Sequence, residues 1–443
     1  MAVFTRKYSV IVATWPRLKE GISYTDRSLL DAFDSCTVST AMTEKLNILM
    51  ISHHRRYRIT TRQHPIAKYL VERGHRVTIL VTADRDRRGI KTSEWDGFRV
   101  VEAPDLLWGR LRSGWDPWSV LWRTIYLSQD NEPYDLVHCY ETRPATIYPA
   151  LAFCRRSQLP FLTDWIDWIG RGGLVTVNRP VWYRYLFGWA ETYYEEAFRA
   201  RADGLTVIST ALSDRAIGLG VLAEDILLLP GGTYPDLFKM RSTDECRARV
   251  GLNGDGPIIG FSSSDSHLDL DVVMAALAIV AQRFPNIKLL MTGQTGPAVM
   301  DLAAKYQVNG RLILTGFLPY EELPWYLGCA DLFVLPFPDT IYNRGRWPNK
   351  INDYLSLGRP TVANACGDVT HLFEKHDVGL LAEWDAGDFA QKIITLLEKP
   401  GLAYHFGKEA RKASIHDYCW PVMIERLEDF YYQTLIKKSR EVN

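Results

Sequence analysis

The chain has 443 residues, 47% of them apolar, and its 52 basic side chains balance 52 acidic ones. That length exceeds one ordinary core and suits two α/β domains. Zero net charge excludes the global field that draws a protein onto nucleic acid, so no nucleic-acid partner is expected.

Seven scattered cysteines without a CxxC pair exclude a disulfide framework and a cysteine-rich zinc site, and point to a reducing compartment. No apolar run reaches the roughly eighteen residues of a membrane span. The expected location is the cytoplasm, with peripheral docking at the inner membrane face as a second expectation.

Residues 1–41 show little periodicity, and their apolar stretch at 8–15 lacks a following cleavage site. They are expected to form a poorly ordered N-terminal extension. The first domain is expected over 42–238, with strands at 47–52, 76–82, 98–103, 136–139, 161–163, 204–208 and 226–229. A helix over 62–73 places Ile66, Ala67 and Leu70 on one face, and Gly74 ends it.

The segment at 230–238, PGGTYPDLF, carries the densest turn signals and marks the approach to a boundary. Strands then recur at 258–262, 287–292, 311–315, 332–336, 361–364 and 379–382, giving a second domain over 239–418. A last helix, within 419–443, is expected to cross back to the first domain. Alternating strands and helices of this kind build doubly wound parallel sheets, whose ligands bind outside the carboxyl ends of the strands.

The most informative stretch is NRGRWPNKINDYLSLGRP at 343–360. Pro348 suits the first turn of a short helix, Gly358 ends it, and Pro360 prevents its return. Arg344, Gly345 and Arg346 precede it, Asn349 and Lys350 open it, and Asp353 lies one turn in. Free N–H groups and basic side chains suit a phosphate, and the Asp353 carboxylate suits vicinal hydroxyls. The plain alternative is a solvated surface helix.

From 45 to 435 the chain resembles the group-1 retaining glycosyltransferases of the GT-B fold. The resemblance rests on a succession of segments: ERGHRVTIL, YDLVHCYE, ADGLTVIST, LLLPGGTYPDLF, IKLLMTGQTG, LILTGFLPYEELPWYLGCADLFVLPF and WPNKINDYLSLGRPTVAN. It implies two Rossmann-like domains facing a central cleft, the first binding the acceptor and the second the nucleotide-sugar donor. It also implies hexosyl transfer with retention, for polysaccharide or glycolipid synthesis, without a metal or other cofactor.

The pattern departs from the family at two points. Of two glutamates eight positions apart, the second is Asp353 here and the first is Gly345. The family's arginine and lysine after the second domain's first strand are absent from FSSSDSHL at 261–268, where Ser262, Ser263 and Ser264 offer only neutral hydrogen bonds. Arg344 and Arg346 are therefore expected to neutralise the diphosphate. Phe317 corresponds to a position near the nucleobase and reads either as a stacking ring or as core.

On the acceptor side, strand 47–52 runs into Ser52-His53-His54. Adjacent histidines on a strand should point apart, which argues against a shared metal. His53, His54 and Arg143 are candidate acceptor contacts. Glu141 is the candidate carboxylate near the anomeric carbon. Asp164 and Asp167 would share a face if their loop turns helical, orienting an acceptor hydroxyl or capping a helix.

Asp269 and Asp271 are expected at a helix start, and no Asp-x-Asp metal motif is evident. Residues 106–127 (Trp108, Trp115, Trp118, Trp122 with Arg110, Arg112, Arg123) and 179–198 combine aromatic and basic side chains suited either to a membrane surface or to core.

A dinucleotide oxidoreductase is excluded, because Ser52-His-His-Arg-Arg-Tyr57 stands where glycines are needed. A sugar-nucleotide epimerase or a catalytically silent binding protein remains the alternative.

Overall fold

The computed structural model describes residues 44–55, 61–83, 89–106, 114–252, 254, 256–263, 269–293 and 296–442. The expected extension at 1–41 lies outside them, as do Ser264, Trp108, Arg110 and Arg112. From Lys45 onward the described residues form one unit.

The first lobe contains β1 (Asn47–Arg55), β2 (Arg76–Thr82), β3 (Lys91–Trp95), β4 (Phe98–Ala103), β5 (Leu136–Tyr140), β6 (Phe161–Trp165), β7 (Gly204–Val207) and β8 (Ile226–Leu228). They form one sheet in the order β3-β4-β2-β1-β5-β6-β7-β8. Ile48, Leu49, Met50 and Ile51 are all fully buried, because helices cover both faces of a parallel sheet.

Strand β3 departs from the expected strand set. It pairs antiparallel with β4 at the sheet edge. All five of its residues are exposed, so it lacks the apolar alternation by which strands are read. Its signal is the turn Asp96-Gly97, where φ is +46° and +79°, as a two-residue hairpin loop requires.

The second lobe contains β9 (Ile258–Ser263), β10 (Lys288–Gly293), β11 (Leu312–Gly316), β12 (Leu332–Leu335), β13 (Thr361–Asn364) and β14 (Gly379–Ala382). Their order is β11-β10-β9-β12-β13-β14, and every pairing is parallel. The chain thus adopts the expected class, two Rossmann-like α/β lobes facing a cleft. β1 lies between β2 and β5, and β9 between β10 and β12, so the chain direction switches at the ends of β1 and β9. Crevices at such points receive ligands.

The final helix, Trp420–Val442, crosses to the first lobe. Met423, Ile424, Leu427, Phe430 and Tyr431 join the core around Ile48, Leu70 and Leu136. Each such side chain contributes about 1.5–3 kcal/mol when fully buried. Polar contacts set the register: Glu428 accepts from Arg73 Nε and pairs with His75 Nε2, each at 2.6 Å. The Tyr431 hydroxyl meets His138 Nδ1 at 2.7 Å.

The lobes also share packing. Ile208, Leu212 and Ala216 belong to one core with Val369, Leu372 and Phe373. Beside it, Asp368 accepts from the Thr210 backbone N–H at 2.8 Å and from its hydroxyl. No helix among the described residues is long and apolar enough to cross a membrane.

Candidate functional site

The second lobe's wall is built at the ends of β9 and β12. The helix Lys350–Ser356 has Asn349 at its N-cap, so Pro348 stands just before the helix rather than in its first turn. The shift follows from Asn349 closing the turn: Ile351 N–H bonds to Pro348 O and Asn352 N–H to Asn349 O. Gly358, with φ +65°, ends the helix as expected.

Lys350 lies over the Phe261 ring, its Nζ 4.4 Å from the centroid. Burial, then the nearby Arg346 charge, lowers its pKa to about 8, with Asp269 opposing. Arg346 donates to the Tyr342 hydroxyl at 2.5 Å and stacks on Tyr342 and Phe337, at 4.2 and 4.9 Å from their centroids. Its Nε is buried without a hydrogen-bond partner. Two cations beside a desolvated ring wall make a place for a polyanion.

Ser262 presents its backbone at the end of β9, where its N–H bonds to the Tyr354 hydroxyl at 2.8 Å, and Ser263 is buried beside it. Asp353 is half-buried. Burial raises its carboxyl to about 8, opposed by the Thr233 hydroxyl, which lies 3.4 Å away on the interlobe linker. Asn349 is exposed. A Cβ at Gly231 would come 2.4 Å from its side-chain oxygen, so the linker backbone passes directly over the helix start. Phe317 is 76% exposed on the turn after β11, which removes the core reading of that ring.

Arg344 departs from the expected pairing with Arg346. Its guanidinium is held by both Asp339 oxygens at 2.5 Å on the exposed surface. The near carboxylate captures it, leaving Arg346 and Lys350 as the adjacent cations.

The first lobe's wall is built at the ends of β1, β5 and β6. Glu141 follows β5 with φ +71°, an uncommon conformation for a residue with a Cβ. Burial is the main cause that lifts its carboxyl to about 7, against the pull of Arg143 and Arg199 and with the push of Asp167 and Glu195. Arg143 reaches His53 Nε2 at 3.3 Å. Burial and then the Arg143 charge lower His54 to about 4, so its imidazole is neutral, and its Nδ1 meets Ser52 Oγ at 2.8 Å.

The histidines do not point apart. Their rings stack at 4.6 Å with a 26° interplanar angle. The register of β1 against β2 shifts between Ile51 and Arg55, and a bulge of this kind breaks the alternation of faces. Among the described residues, no group of three or more His, Cys, Asp or Glu side chains is placed to hold a metal ion.

Asp164 and Asp167 do not share a helical face either. Asp164 lies within β6 and is 1% exposed, paired with Arg62 Nε at 2.9 Å and with the Thr206 hydroxyl. Arg62 also donates to Leu229 O at 2.6 Å. The geometry makes Asp164 an internal anchor for the linker rather than a group facing an acceptor. Asp167 lies on the loop after β6; burial is the main cause that raises the Glu141 carboxyl and the Tyr342 phenol, and the Asp167 charge adds a smaller push to each. Its charge is thus felt on both walls.

Sequence reasoning missed Tyr342 and Trp168, and gave Asp269 only a helix-start role. Tyr342 and Arg346, four apart, carried an available signal. The cleft position of Trp168 and Asp269 depends on long-range packing and had none.

Residues 59–232 match the family model described as "Glycosyl transferase 4-like domain", and residues 256–399 match "Glycosyl transferases group 1". Over 209 residues the chain is 24% identical to 2-deoxystreptamine glucosyltransferase of Streptomyces kanamyceticus, covering 45% of this chain and 52% of that one. The chain spans about half the length of the curated relatives it matches.

Among solved structures, sucrose-phosphate synthase from Thermosynechococcus elongatus superposes with a TM-score of 0.70 at 18% identity, over 89% of this chain and 100% of that one. Anabaena HepE in complex with UDP-glucose gives 0.65 at 15% identity, over 88% and 100%. At such identities the likeness is one of fold.

Proposed function

The chain belongs to the GT-B-fold glycosyltransferases as a divergent member, and from that premise we propose that it moves a hexose-type sugar from a nucleoside-diphosphate sugar to a hydroxyl acceptor. The observation that carries this reading is the close approach of the loop after β6, which carries Asp167, to the segment that carries Tyr342 and Arg346: a Cβ at Gly345 would stand 2.5 Å from Trp168 Cβ, and one at Gly172 would stand 3.6 Å from Ile341 Cδ1. The cations take the diphosphate, Phe317 offers a ring to the base, and Asp353 accepts from ribose hydroxyls.

In the proposed retaining reaction, the bond from the anomeric carbon to the diphosphate oxygen breaks and a bond to the acceptor oxygen forms on the same face. The acceptor's proton passes to the departing phosphate. Arg346 and Lys350 stabilise the charge that develops there, and Glu141, when ionised, stabilises the positive charge on the sugar.

A thermal-shift screen with UDP, GDP, ADP and their sugar conjugates identifies the donor, because a ligand bound at 100 times its dissociation constant stabilises the fold by about 2.7 kcal/mol. Release of nucleoside diphosphate from the conjugate then tests transfer. Binding without release, or conversion to an epimeric nucleotide sugar, would replace this reading with the silent or epimerase alternative.

The acceptor is proposed to be a glycan linked to lipid. The helix Val181–Glu196 exposes Trp182, Tyr185 and Trp189 by 60, 87 and 69%, together with Leu186 and Phe187. Its acids turn inward: Glu191 and Glu195 are buried, and Glu196 pairs with Arg215 at 2.6 Å. Arg184 is left as the exposed charge on this helix, with Arg179 just before it.

Aromatic rings with arginines and no exposed acid fit an anionic bilayer surface on the cytoplasmic side. The 106–127 segment contributes less than expected. Arg123 is fully buried, donating to Ser52 O and the Thr82 hydroxyl, each at 2.8 Å, and of its described tryptophans only Trp118 is exposed.

Flotation with phosphatidylglycerol vesicles is expected to carry the protein upward. A Trp182→Ser/Tyr185→Ser/Trp189→Ser variant should stay at the bottom. A native chain that stays at the bottom, or that dimerises through this face, contradicts the docking.

A further inference from the structure

Gly345 has φ −80° and ψ 5°, an ordinary conformation open to any residue, so its backbone does not require glycine. Space does. A Cβ at 345 would stand 2.5 Å from Trp168 Cβ and 3.2 Å from Trp168 Cε3, across the cleft. Carbon atoms pack at about 3.5 Å or more, so even an alanine demands a shift of about 1 Å.

The tryptophan is in no position to yield. Its Nε1 donates to Arg171 O at 2.8 Å, and its carbonyl accepts from Leu174 N–H at 2.9 Å. The Arg215 guanidinium lies over its ring, 4.4 Å from the centroid. Glu195 holds the loop from beneath, accepting from Ile169 and Gly170 N–H at 2.7 and 2.6 Å. A second contact runs alongside, with Ile341 Cδ1 3.6 Å from a Cβ position at Gly172.

We propose that Trp168 and Gly345 form a matched seat between the lobes, and that Trp168 is a positioning residue for the transfer reaction. The seat fixes how near the lobes come. It thereby sets Asp167, the adjacent residue, against the Tyr342–Arg346 pair and fixes the distance between the diphosphate site and the acceptor wall. The inference rests on the transferase reading for its effect on turnover, but not for its effect on lobe spacing.

The test is a double-mutant cycle on the full chain. Gly345→Ala is expected to lower release of nucleoside diphosphate from the nucleotide sugar roughly 10- to 100-fold, since a misplacement of about 1 Å can cost that much. Binding of the free nucleoside diphosphate, measured by calorimetry, should change less than about twofold, because Arg346 and Lys350 remain in place. In a Trp168→Gly background, which itself lowers turnover, the same Gly345→Ala change should cost less than about twofold, because both obstructing atoms, Trp168 Cβ and Cε3, are gone.

Small-angle scattering gives a readout independent of catalysis: Gly345→Ala should enlarge the radius of gyration of the nucleotide-bound protein, and Trp168→Gly/Gly345→Ala should not. Equal costs of Gly345→Ala in both backgrounds, or unchanged scattering in the single variant, overturn the proposal. Absent turnover in the native chain with an intact scattering difference would instead count against the transferase reading and leave the seat standing. Thermal melting of each variant separates these results from loss of fold.

Discussion

The ammonium of Lys350 lies 4.4 Å from the centroid of the Phe261 ring, at the end of the second lobe's first strand. A cation over an aromatic face keeps some stabilisation but loses water, and burial dominates here, lowering its pKa to about 8. Donor affinity should therefore fall as pH rises through about 8, because a neutral amine no longer attracts the diphosphate. Lys350→Arg should retain affinity to higher pH, since guanidinium stays charged. Calorimetric titration from pH 6.5 to 9.5 checks both.

Glu141 supplies the opposite limb. Its carboxyl, lifted to about 7 by burial, must ionise to stabilise positive charge on the sugar, so turnover should rise as pH increases through about 7. With Lys350 the profile is a narrow bell. Glu141→Gln should lower turnover by at least about tenfold and remove the acid limb. A rate profile of the variant that keeps the limb would assign it elsewhere.

Asp353 makes a stability prediction with a definite sign. Its folded pKa, about 8, is raised from the ordinary 3.8, chiefly by burial. The folded state then holds the proton more tightly than the unfolded state, so this group's stabilisation is complete below pH 3.8 and is lost as pH rises to about 8. Asp353→Asn should melt above the native protein at pH 9, with the gap shrinking toward pH 5. Thermal melting of both proteins at the two pH values measures it.

The Arg62–Asp164 pair is structural. Both side chains are buried, at 7 and 1% exposure, and removing one partner of such a pair leaves an uncompensated charge at a cost of about 3–5 kcal/mol. Arg62→Ala should destabilise the first lobe by that amount in urea unfolding. Nucleoside diphosphate binding by the folded fraction should be unchanged.

What the sequence made legible follows from range. The buried strand β1 could be read because its apolar run is local, and the short helix at 350–356 because Gly358 and Pro360 punctuate it within a few residues. Strand β3 was missed because all of its residues face water, leaving only the Asp96-Gly97 turn to mark it.

Partners distant along the chain were not legible. Asp164 and Arg62 are 102 positions apart, and Trp168 meets Gly345 only because two lobes fold against each other. Even the capture of Arg344 by Asp339, five residues away, depends on how a single turn directs two side chains. Chemistry at strand ends could be predicted; which charge faces the ligand could not.

The most direct test of the account is calorimetric titration of the nucleoside diphosphate into the native chain and into Arg344→Ala, Arg346→Ala and Lys350→Ala. Losing a charge-assisted hydrogen bond should cost about 1.5–3 kcal/mol, or roughly tenfold or more in affinity, for Arg346→Ala and Lys350→Ala. Arg344→Ala, whose guanidinium belongs to Asp339, should bind as the native chain does. Unchanged affinity in Lys350→Ala and Arg346→Ala, or a loss confined to Arg344→Ala, would contradict the assignment of the diphosphate to this wall.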